Sequence, residues 1–360
     1  MGVALRAQSF NSDTVRLDST IRAYMIRNNV PGLCLAFCKN DKIVFAKGYG
    51  YAIKDTLAAE PSQLFRIASV SKPITSLAIM NLVAEGKLHL GDKVFGPSGI
   101  LKQFPVPAAN GLALQITVSH LLHHVSGFIN AKGDPAFMDL EMTTDQMIQW
   151  ELDNEIITHP PGDTMVYLNF GYILLARIID RVSGIPYAQY VQSTILERCG
   201  IRDMQIGKNS LLLRLPLEAE YYSFGAFSPY SLDLNRMEGN GGWIASAVDL
   251  ARVLVHINGD HGVPDILPSL QMDSLTEVLH ASRNYGCGFI VWSNHAKGHN
   301  GAMPGTNALI HDAGDGGGWT VVMNGRAEKD GFAWGLDVML RVFYSSIHWP
   351  DTNKFSLYEN

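Results

Sequence analysis

Segments with strand character lie near both ends of this 360-residue chain, whereas the segments between them have helical character. Alternating and β-branched residues predict a hairpin over 32–46 and strands over 288–292, 306–311 and 319–323. Helical spacing and stop signals predict helices over 74–84, 144–156, 170–182, 187–198 and 246–257. We therefore expect an α/β (α+β) fold in which one sheet is built from both ends of the chain, with helices inserted between its two parts.

Composition and charge exclude several classes of protein. The residues are 47% hydrophobic and 17% charged, as in an ordinary globular domain, and 360 residues suffice for a large core. The 28 basic and 34 acidic residues give a formal charge of −6, without a cluster of Lys or Arg. This balance argues against nucleic acid or an anionic membrane as the partner. No stretch is long and apolar enough to predict a membrane span.

The four cysteines do not predict a disulfide framework. Cys34 and Cys38 fall on one predicted strand, where they would lie about 13 Å apart, beyond disulfide reach. Buried free thiols are the expected state of all four, including Cys199 and Cys287. Zinc binding by cysteine is not indicated, because no Cys-x-x-Cys spacing occurs.

The first nine residues lack a full apolar signal core. They suit a cytoplasmic start, or the beginning of an exported protein whose signal peptide is absent from this chain. The compartment therefore stays open between cytoplasm and a periplasmic or extracellular location.

A hydroxyl and an amine are one helical turn apart at Ser69 and Lys72, where a predicted strand or loop leads into a helix. Side chains at i and i+3 lie on one face of a helix, so Lys72 would stand over Ser69. A serine becomes a nucleophile when a neighbouring base takes its proton, and a lysine with a lowered pKa can be that base. If Ser69 begins the helix, its backbone N–H can face a developing oxyanion. Ser-x-x-Lys also occurs by chance, so the interpretation depends on supporting groups elsewhere.

Two further segments contain groups that such a serine would need. Tyr167 and Asn169 precede a predicted helix, where the phenol could relay a proton and the amide could hold Lys72. Gly301 lies where strands return, and there it would let a substrate approach closely, while the N–H of Ala302 would be a second oxyanion donor. A half-buried aromatic, a helix N-cap and a turn between strands are the structural alternatives.

Taken in order, Ser-x-x-Lys, Tyr-x-Asn and His-x-Gly resemble the motifs of the serine β-lactamase and penicillin-binding-protein superfamily. The chain is most similar to its class C β-lactamase-related branch, which also holds family VIII esterases and D-amino-acid peptidases. Segments 121–127, 161–184 and 241–251 match that branch as well, and the resemblance extends over residues 18–343.

The resemblance implies a β-lactamase/transpeptidase-like fold with an antiparallel sheet formed by both termini, flanking helices and an inserted, mainly helical lobe. It predicts a single domain over 13–343. In this division, 13–68 and 285–343 form the α/β lobe, and 69–284 form the helical lobe.

The resemblance also implies catalytic roles. Ser69 would be the acylated nucleophile, Lys72 its activating base or charge partner, and Tyr167 the group that transfers protons. Asn169 would position Lys72 and the substrate. No metal or organic cofactor is expected, because these side chains can move the protons themselves.

His299, Asn300 and Gly301 would form one wall of the substrate site, and the N–H groups of Ser69 and Ala302 would form the oxyanion hole. β-Lactamases usually have Lys where this chain has His299, and Thr or Ser where it has Asn300. Histidine has an unperturbed pKa of about 6.5 and is a weaker anchor for the carboxylate of a β-lactam.

The predicted function is a serine hydrolase that forms an acyl-enzyme on Ser69. Its expected substrates are carboxylic esters, small amides or short peptides, with weak or no β-lactamase activity. An acyltransferase or peptide cyclase would use the same residues, and a non-catalytic peptide-binding or self-assembling relative is a further alternative. The oligomeric state is not predicted.

Two other hydrolase classes are disfavoured. His120, His123 and His124 cluster, but no acidic ligand lies at metal-site spacing, and His124 is expected to support its loop by hydrogen bonding. No Gly-x-Ser-x-Gly elbow of an α/β-hydrolase occurs.

Two variable segments, 130–141 and 211–237, are expected to determine which substrate is bound. The aromatic residues of the second indicate either an apolar acyl pocket or core packing; they are Tyr221, Tyr222, Phe224, Phe227 and Tyr230.

Overall fold

The structure is a computed structural model that describes residues 2–138, 141–223, 227–259, 262–292, 295–326 and 332–358. Its α-helices are α1 (Gly2–Asn28), α2 (Ser71–Ala84), α3 (Val118–Leu122), α4 (Thr144–Asn154), α5 (Asn169–Ser183), α6 (Tyr187–Val191), α7 (Ala247–Val255), α8 (Ser269–Thr276) and α9 (Phe332–Ser346). Its strands are β1 (Gly32–Lys39), β2 (Lys42–Ile53), β3 (Leu57–Ala58), β4 (Phe65–Arg66), β5 (Gln205–Ile206), β6 (Tyr222–Ser223), β7 (Trp243–Ala245), β8 (Ile290–Val291), β9 (Lys297–Met303), β10 (Thr306–Asp312), β11 (Gly317–Met323) and β12 (Gly325–Arg326).

Within the described part of the chain, seven strands form one antiparallel sheet in the order β3-β2-β1-β11-β10-β9-β8. The β1–β2 hairpin turns at Asn40 and Asp41, whose φ angles of 47° and 58° are those of a tight turn that matches strand twist. β1 also pairs with β11, so the two ends of the chain share one sheet. The predicted antiparallel sheet built from both termini is confirmed.

Helices cover both faces of this sheet because the inner strands are apolar on both sides. Leu33, Leu35 and Phe37 pack with apolar side chains of α1 and α9. Cys34 and Ala36 point the other way, into a core shared with α2, α5 and α7. Successive side chains of a strand face opposite ways, so β1 alone contributes to both layers.

Between β3 and β8 the chain is mainly helical, and it also contains a short sheet with strand order β4-β7-β5. The hydroxyl of Thr320, on β11, donates to the carbonyl of Ala247 at 2.7 Å, so α7 lies directly on the large sheet. The division into lobes at 13–68 with 285–343, and at 69–284, stays a prediction.

All four cysteines are buried free thiols, as expected. None of the helices in the described ranges is long and apolar enough to cross a membrane.

Candidate active site

Ser69 lies on a sharp turn between β4 and α2. The chain passes through Ala68, whose φ of 47° is left-handed and uncommon for a residue with a side chain, into a 3-10 turn over Ala68–Val70. The N–H of Ile67 donates to the carbonyl of Trp243 at 3.1 Å and so fixes the entry to this turn. The turn therefore places the serine hydroxyl at the first residues of a buried helix.

Lys72 is fully buried, and its amine has three neighbours. Its Nζ lies 3.1 Å from Ser69 Oγ, 2.7 Å from Asn169 Oδ1 and 3.0 Å from the carbonyl oxygen of Asn240. Burial lowers the pKa of Lys72 to about 7, and the nearby charge of Asp134 partly opposes this shift.

The three neighbours of Lys72 can be satisfied by an ammonium, which donates to all of them, or by a neutral amine, which donates to two and accepts from the Ser69 hydroxyl. A neutral amine has two N–H bonds and one lone pair, and an amide oxygen and a backbone carbonyl can only accept. When Lys72 donates to Asn169 and Asn240, its lone pair is left for the hydroxyl hydrogen of Ser69. The lowered pKa of Lys72 favours the neutral amine, and the geometry then directs its lone pair at Ser69.

Asp134 fixes the orientation of the Asn169 side chain. Asn169 Nδ2 donates to Asp134 Oδ2 at 2.7 Å, and because a carboxylate only accepts, Asn169 Oδ1 has to face Lys72. The other oxygen of Asp134 accepts from the N–H of Ala136 at 3.0 Å, as the cap of a short 3-10 turn. Asp134 is not predictable as a site residue from the sequence, because Asp before Pro135 signals only a helix start.

We expect Asp134→Asn to move the acid limb of kcat/KM to lower pH. The Asp134 carboxylate raises the pKa of Lys72, so its removal lets burial lower that pKa further. An asparagine has one oxygen and cannot both accept from Asn169 and cap Ala136, so the plateau of kcat/KM should fall about tenfold. Ester hydrolysis measured between about pH 5 and pH 9 would show both effects.

Asp163→Asn is the matched control for this prediction. Asp163 is exposed in the loop before Tyr167, and its replacement makes the same change in net charge. The control should leave the acid limb in place. An acid limb of Asp134→Asn at the wild-type pH or above it would contradict the role given to Asp134.

Tyr167 lies beside Ser69 in the same cleft, and its ring centroid lies 4.7 Å from Lys72 Nζ. Although 39% of the residue is exposed along the cleft, its hydroxyl is enclosed by protein, and this burial raises the pKa of Tyr167. The phenol is therefore protonated at neutral pH. Between the two candidate bases, Lys72 is the group that can be unprotonated there, and Tyr167 is suited to relay a proton.

His124 accepts hydrogen bonds from the backbone on both sides of Tyr167. Its carbonyl accepts from the N–H of Val166 at 2.9 Å, and its Nδ1 accepts from the N–H of Leu168 at 3.1 Å. The His124 ring lies 4.4 Å from the Tyr167 ring, and burial lowers its pKa well below the usual range. His124 thus supports the loop by hydrogen bonding, as predicted, and does so as a neutral imidazole.

His299 is a buried neutral imidazole with both ring nitrogens engaged. Its Nδ1 lies 2.6 Å from the carbonyl oxygen of Asn300, and its Nε2 lies 2.9 Å from the hydroxyl of Tyr285. A carbonyl only accepts, so Nδ1 carries the proton and the Tyr285 hydroxyl donates to Nε2. Burial and the neighbouring Lys72 lower the pKa of His299 to about 3. This arrangement leaves no N–H of the imidazole for a substrate carboxylate.

Gly301 brings strand β9 against the turn that bears the serine. A Cβ at Gly301 would lie 2.1 Å from the carbonyl oxygen of Ile67 and 3.1 Å from the backbone nitrogen of Ser69. Only glycine permits this approach of the two backbones. It places Ala302 beside Ser69 along one cleft, where the predicted pair of oxyanion donors would be needed.

The cleft has a volume of about 650 Å³. Its lining consists of Ser69, Met165, Tyr167, Asn284, Tyr285, Ile290, Trp292, His299, Asn300, Ala302 and Trp334. Lys72 and Asn169 lie behind Ser69, and Gly301 packs against its turn, so the structure brings all eight predicted site residues together. Asp134, Asn240 and Tyr285 also contact site residues, although the sequence does not predict them.

None of the described aromatic residues of segment 211–237 lines this cleft. The hydroxyl of Tyr221 accepts from the N–H of Arg66 and donates to Glu218, each at 2.9 Å. The Arg66 guanidinium lies over the rings of Tyr221 and Tyr230, at 4.3 Å and 5.0 Å. These two rings thus have the packing role that was the alternative to an acyl pocket. Phe224 lies outside the described residues.

Comparisons with known proteins agree with this fold. The beta-lactamase family profile matches residues 17–339. The chain is 31% identical to the putative penicillin-binding protein PbpX of Bacillus subtilis over 307 residues, which cover 82% of this chain and 71% of PbpX. Staphylococcus aureus protein flp is matched over 50% of this chain but only 36% of its own length.

Two solved structures have the same fold. An octameric penicillin-binding protein homologue from Pyrococcus abyssi superposes with a TM-score of 0.72 at 25% identity, over 93% of this chain and 79% of that one. The D-amino acid amidase of Ochrobactrum anthropi SV3 superposes with a TM-score of 0.73 at 22% identity, over 92% and 99%.

This chain belongs to the beta-lactamase family, in the superfamily of serine hydrolases that includes the penicillin-binding proteins. The β-lactamase/transpeptidase-like fold expected from the sequence is confirmed.

Proposed function

We propose that the protein hydrolyses carboxylic esters or small amides through an acyl-enzyme on Ser69, with weak or no β-lactamase activity. The observation that carries this proposal is the environment of Lys72. Its amine is buried, has a pKa of about 7, and has one position left over for the hydroxyl of Ser69. A structural lysine would instead be paired with a carboxylate or reach solvent.

In the proposed reaction, Lys72 takes the proton of Ser69 as Oγ attacks the substrate carbonyl carbon. The N–H groups of Ser69 and Ala302 stabilise the oxyanion. Tyr167 donates its proton to the leaving oxygen or nitrogen and takes one back from the Lys72 ammonium, while the bond to that atom breaks and leaves the acyl group on Ser69. Water then attacks the carbonyl carbon of the acyl-enzyme ester. Lys72 and Tyr167 take the proton of the water and return one to Ser69 Oγ, which releases the acid.

The substrate preference rests on His299. A neutral imidazole with both nitrogens occupied provides neither the charge nor the donor that would hold a carboxylate next to the scissile bond. The fold neighbour named D-amino acid amidase supports amides as one substrate class. Esters are the other substrate class, because an alcohol leaving group departs with less protonation by Tyr167 than an amine does.

We expect the purified protein to hydrolyse p-nitrophenyl butyrate with a kcat/KM at least 100-fold above that for a chromogenic cephalosporin. A missing carboxylate contact of about 3 kcal/mol, at the strong end for a charged hydrogen bond, accounts for this ratio. Ser69→Ala protein gives the background for both substrates. Faster turnover of the cephalosporin would overturn the proposed preference, and adding an alcohol acceptor would separate hydrolysis from acyl transfer.

A further inference from the structure

Trp292 lines the cleft and is supported from behind by a stack of rings. Its ring lies 4.6 Å from that of His311 with an interplanar angle of 19°, and His311 lies 4.1 Å from Trp319 at 9°. Trp319 is buried, and its Nε1 donates to Asp337 Oδ1 at 2.8 Å. His311 Nδ1 lies 3.0 Å from the same oxygen. The indole of Trp292 is therefore the outermost member of a stack that reaches into the core.

Trp334 adds a second aromatic surface at nearly a right angle. It lies in the first turn of α9, and its ring is 5.8 Å from that of Trp292 with an interplanar angle of 83°. Asp337, three residues further on α9, holds that helix to the sheet through Trp319. Trp334 is 37% exposed and lines the cleft, so part of its ring is open to a ligand.

The described residues that line the cleft around these two rings are uncharged. Among the described residues that line the cleft, none is an Asp, Glu, Lys or Arg. Met165 and Ile290 extend the apolar surface next to the indoles, and Asn284 and Asn300 are polar without charge. Placing a charged group here would remove its water without supplying a partner, so the cleft disfavours it.

We propose that Trp292 and Trp334 form an aromatic subsite that binds an uncharged aromatic group of the substrate, next to the scissile bond. This inference rests on the proposed function and adds the substrate class: neutral esters or amides that carry a phenyl or similar ring. Two indoles at a right angle offer a ring one face-to-face and one edge-to-face contact, both favourable geometries. Because the stack already orders Trp292, little side-chain freedom is lost on binding.

The test measures binding to Ser69→Ala protein, so that it does not depend on catalysis. The probes are N-benzylacetamide and N-ethylphenylacetamide, which carry the ring on the amine and acyl sides, with N-ethylacetamide as the reference. We expect at least one aromatic probe to bind about tenfold more tightly than the reference, and the tighter one to identify the side of the scissile bond. Calorimetry or tryptophan fluorescence gives the dissociation constants.

In the Ser69→Ala background, Trp334→Ala should remove most of this aromatic preference. Val338→Ala, exposed one turn further along α9 and outside the cleft, is the matched control and should retain it. Trp292→Leu keeps an apolar side chain against His311 and should also reduce the preference. Equal affinity for all three probes, or a preference that survives in both Trp variants, would overturn the subsite. Absence of ester turnover by the wild type would refute the proposed function but not these binding results.

Discussion

Replacing Ser69 by alanine is expected to abolish covalent labelling by a fluorophosphonate and to reduce ester hydrolysis by roughly 10⁴- to 10⁶-fold. The probe transfers its phosphonyl group to an activated serine oxygen and releases fluoride, so labelling requires a nucleophile whose proton is being removed. Ser69 meets this condition through the amine 3.1 Å away. Intact-mass measurement and peptide mapping would locate the modification.

Ser71 offers a control within the same motif. It is fully buried, and its hydroxyl accepts from the N–H of Trp243 at 3.3 Å, away from the amine of Lys72. Ser71→Ala should therefore still be labelled at Ser69. Stoichiometric labelling that persists in Ser69→Ala would show that the nucleophile lies elsewhere.

Replacing Lys72 by methionine is expected to lower kcat/KM for an ester about 10⁴-fold. Methionine is also long and unbranched, so it fills the buried site while removing the amine. In the wild type, the base has to be unprotonated, and kcat/KM should rise with pH through about 7, the pKa of Lys72, and then level off. The variant should lose this rise, because the titrating group is gone.

The pH profile separates a base from a purely structural lysine. Lys87→Met, just beyond the end of α2 and exposed, makes the same substitution away from the site and should keep both the rate and the profile. Activity of Lys72→Met within tenfold of the wild type would contradict the assignment. So would a profile in this variant that still rises through about pH 7.

Much of the fold could be predicted because its signals are local. Strand β10, predicted over 306–311, is Thr306–Asp312, and α4, predicted over 144–156, is Thr144–Asn154 with Thr143 in a capping box. Where tertiary contacts override the local pattern, the predicted element bounds are wrong. The strand predicted over 288–292 shortens to Ile290–Val291, because Gly288 has a φ of 78° and packs so tightly on α2 that a Cβ would meet Ser76 Oγ at 2.2 Å.

The helix predicted over 187–198 shows the same limit. It begins as an α-helix at Tyr187–Val191, then continues through a π-helical segment at Gln192–Leu196 and a 3-10 turn at Glu197–Cys199. Apolar periodicity alone does not distinguish these helix types, since each changes the residues per turn only slightly over so few residues.

The residues missed at the site act through tertiary contacts that have no pattern along the chain. Asn240 contributes a backbone carbonyl, which any residue type offers. Tyr285 matters because its hydroxyl occupies a nitrogen of His299, and Asp134 because its carboxylate orients an amide 35 residues away in sequence. The motif residues were predictable because their chemistry needs particular side chains at fixed spacing. Their supports need only proximity in the folded chain.

Because the sheet joins both ends of the chain, the active site can assemble only after the C-terminal strands have been synthesised. β1 is made early, but Leu33 pairs with Met323, and Gly301 reaches the Ser69 turn only as part of the same late strands. During synthesis the β1–β2 hairpin therefore has the β1 edge unpaired until β11 is made. Contacts between residues distant in sequence also form slowly. An unpaired strand edge exposes backbone donors and acceptors, and the site is complete only after β9 has joined the sheet beside the Ser69 turn.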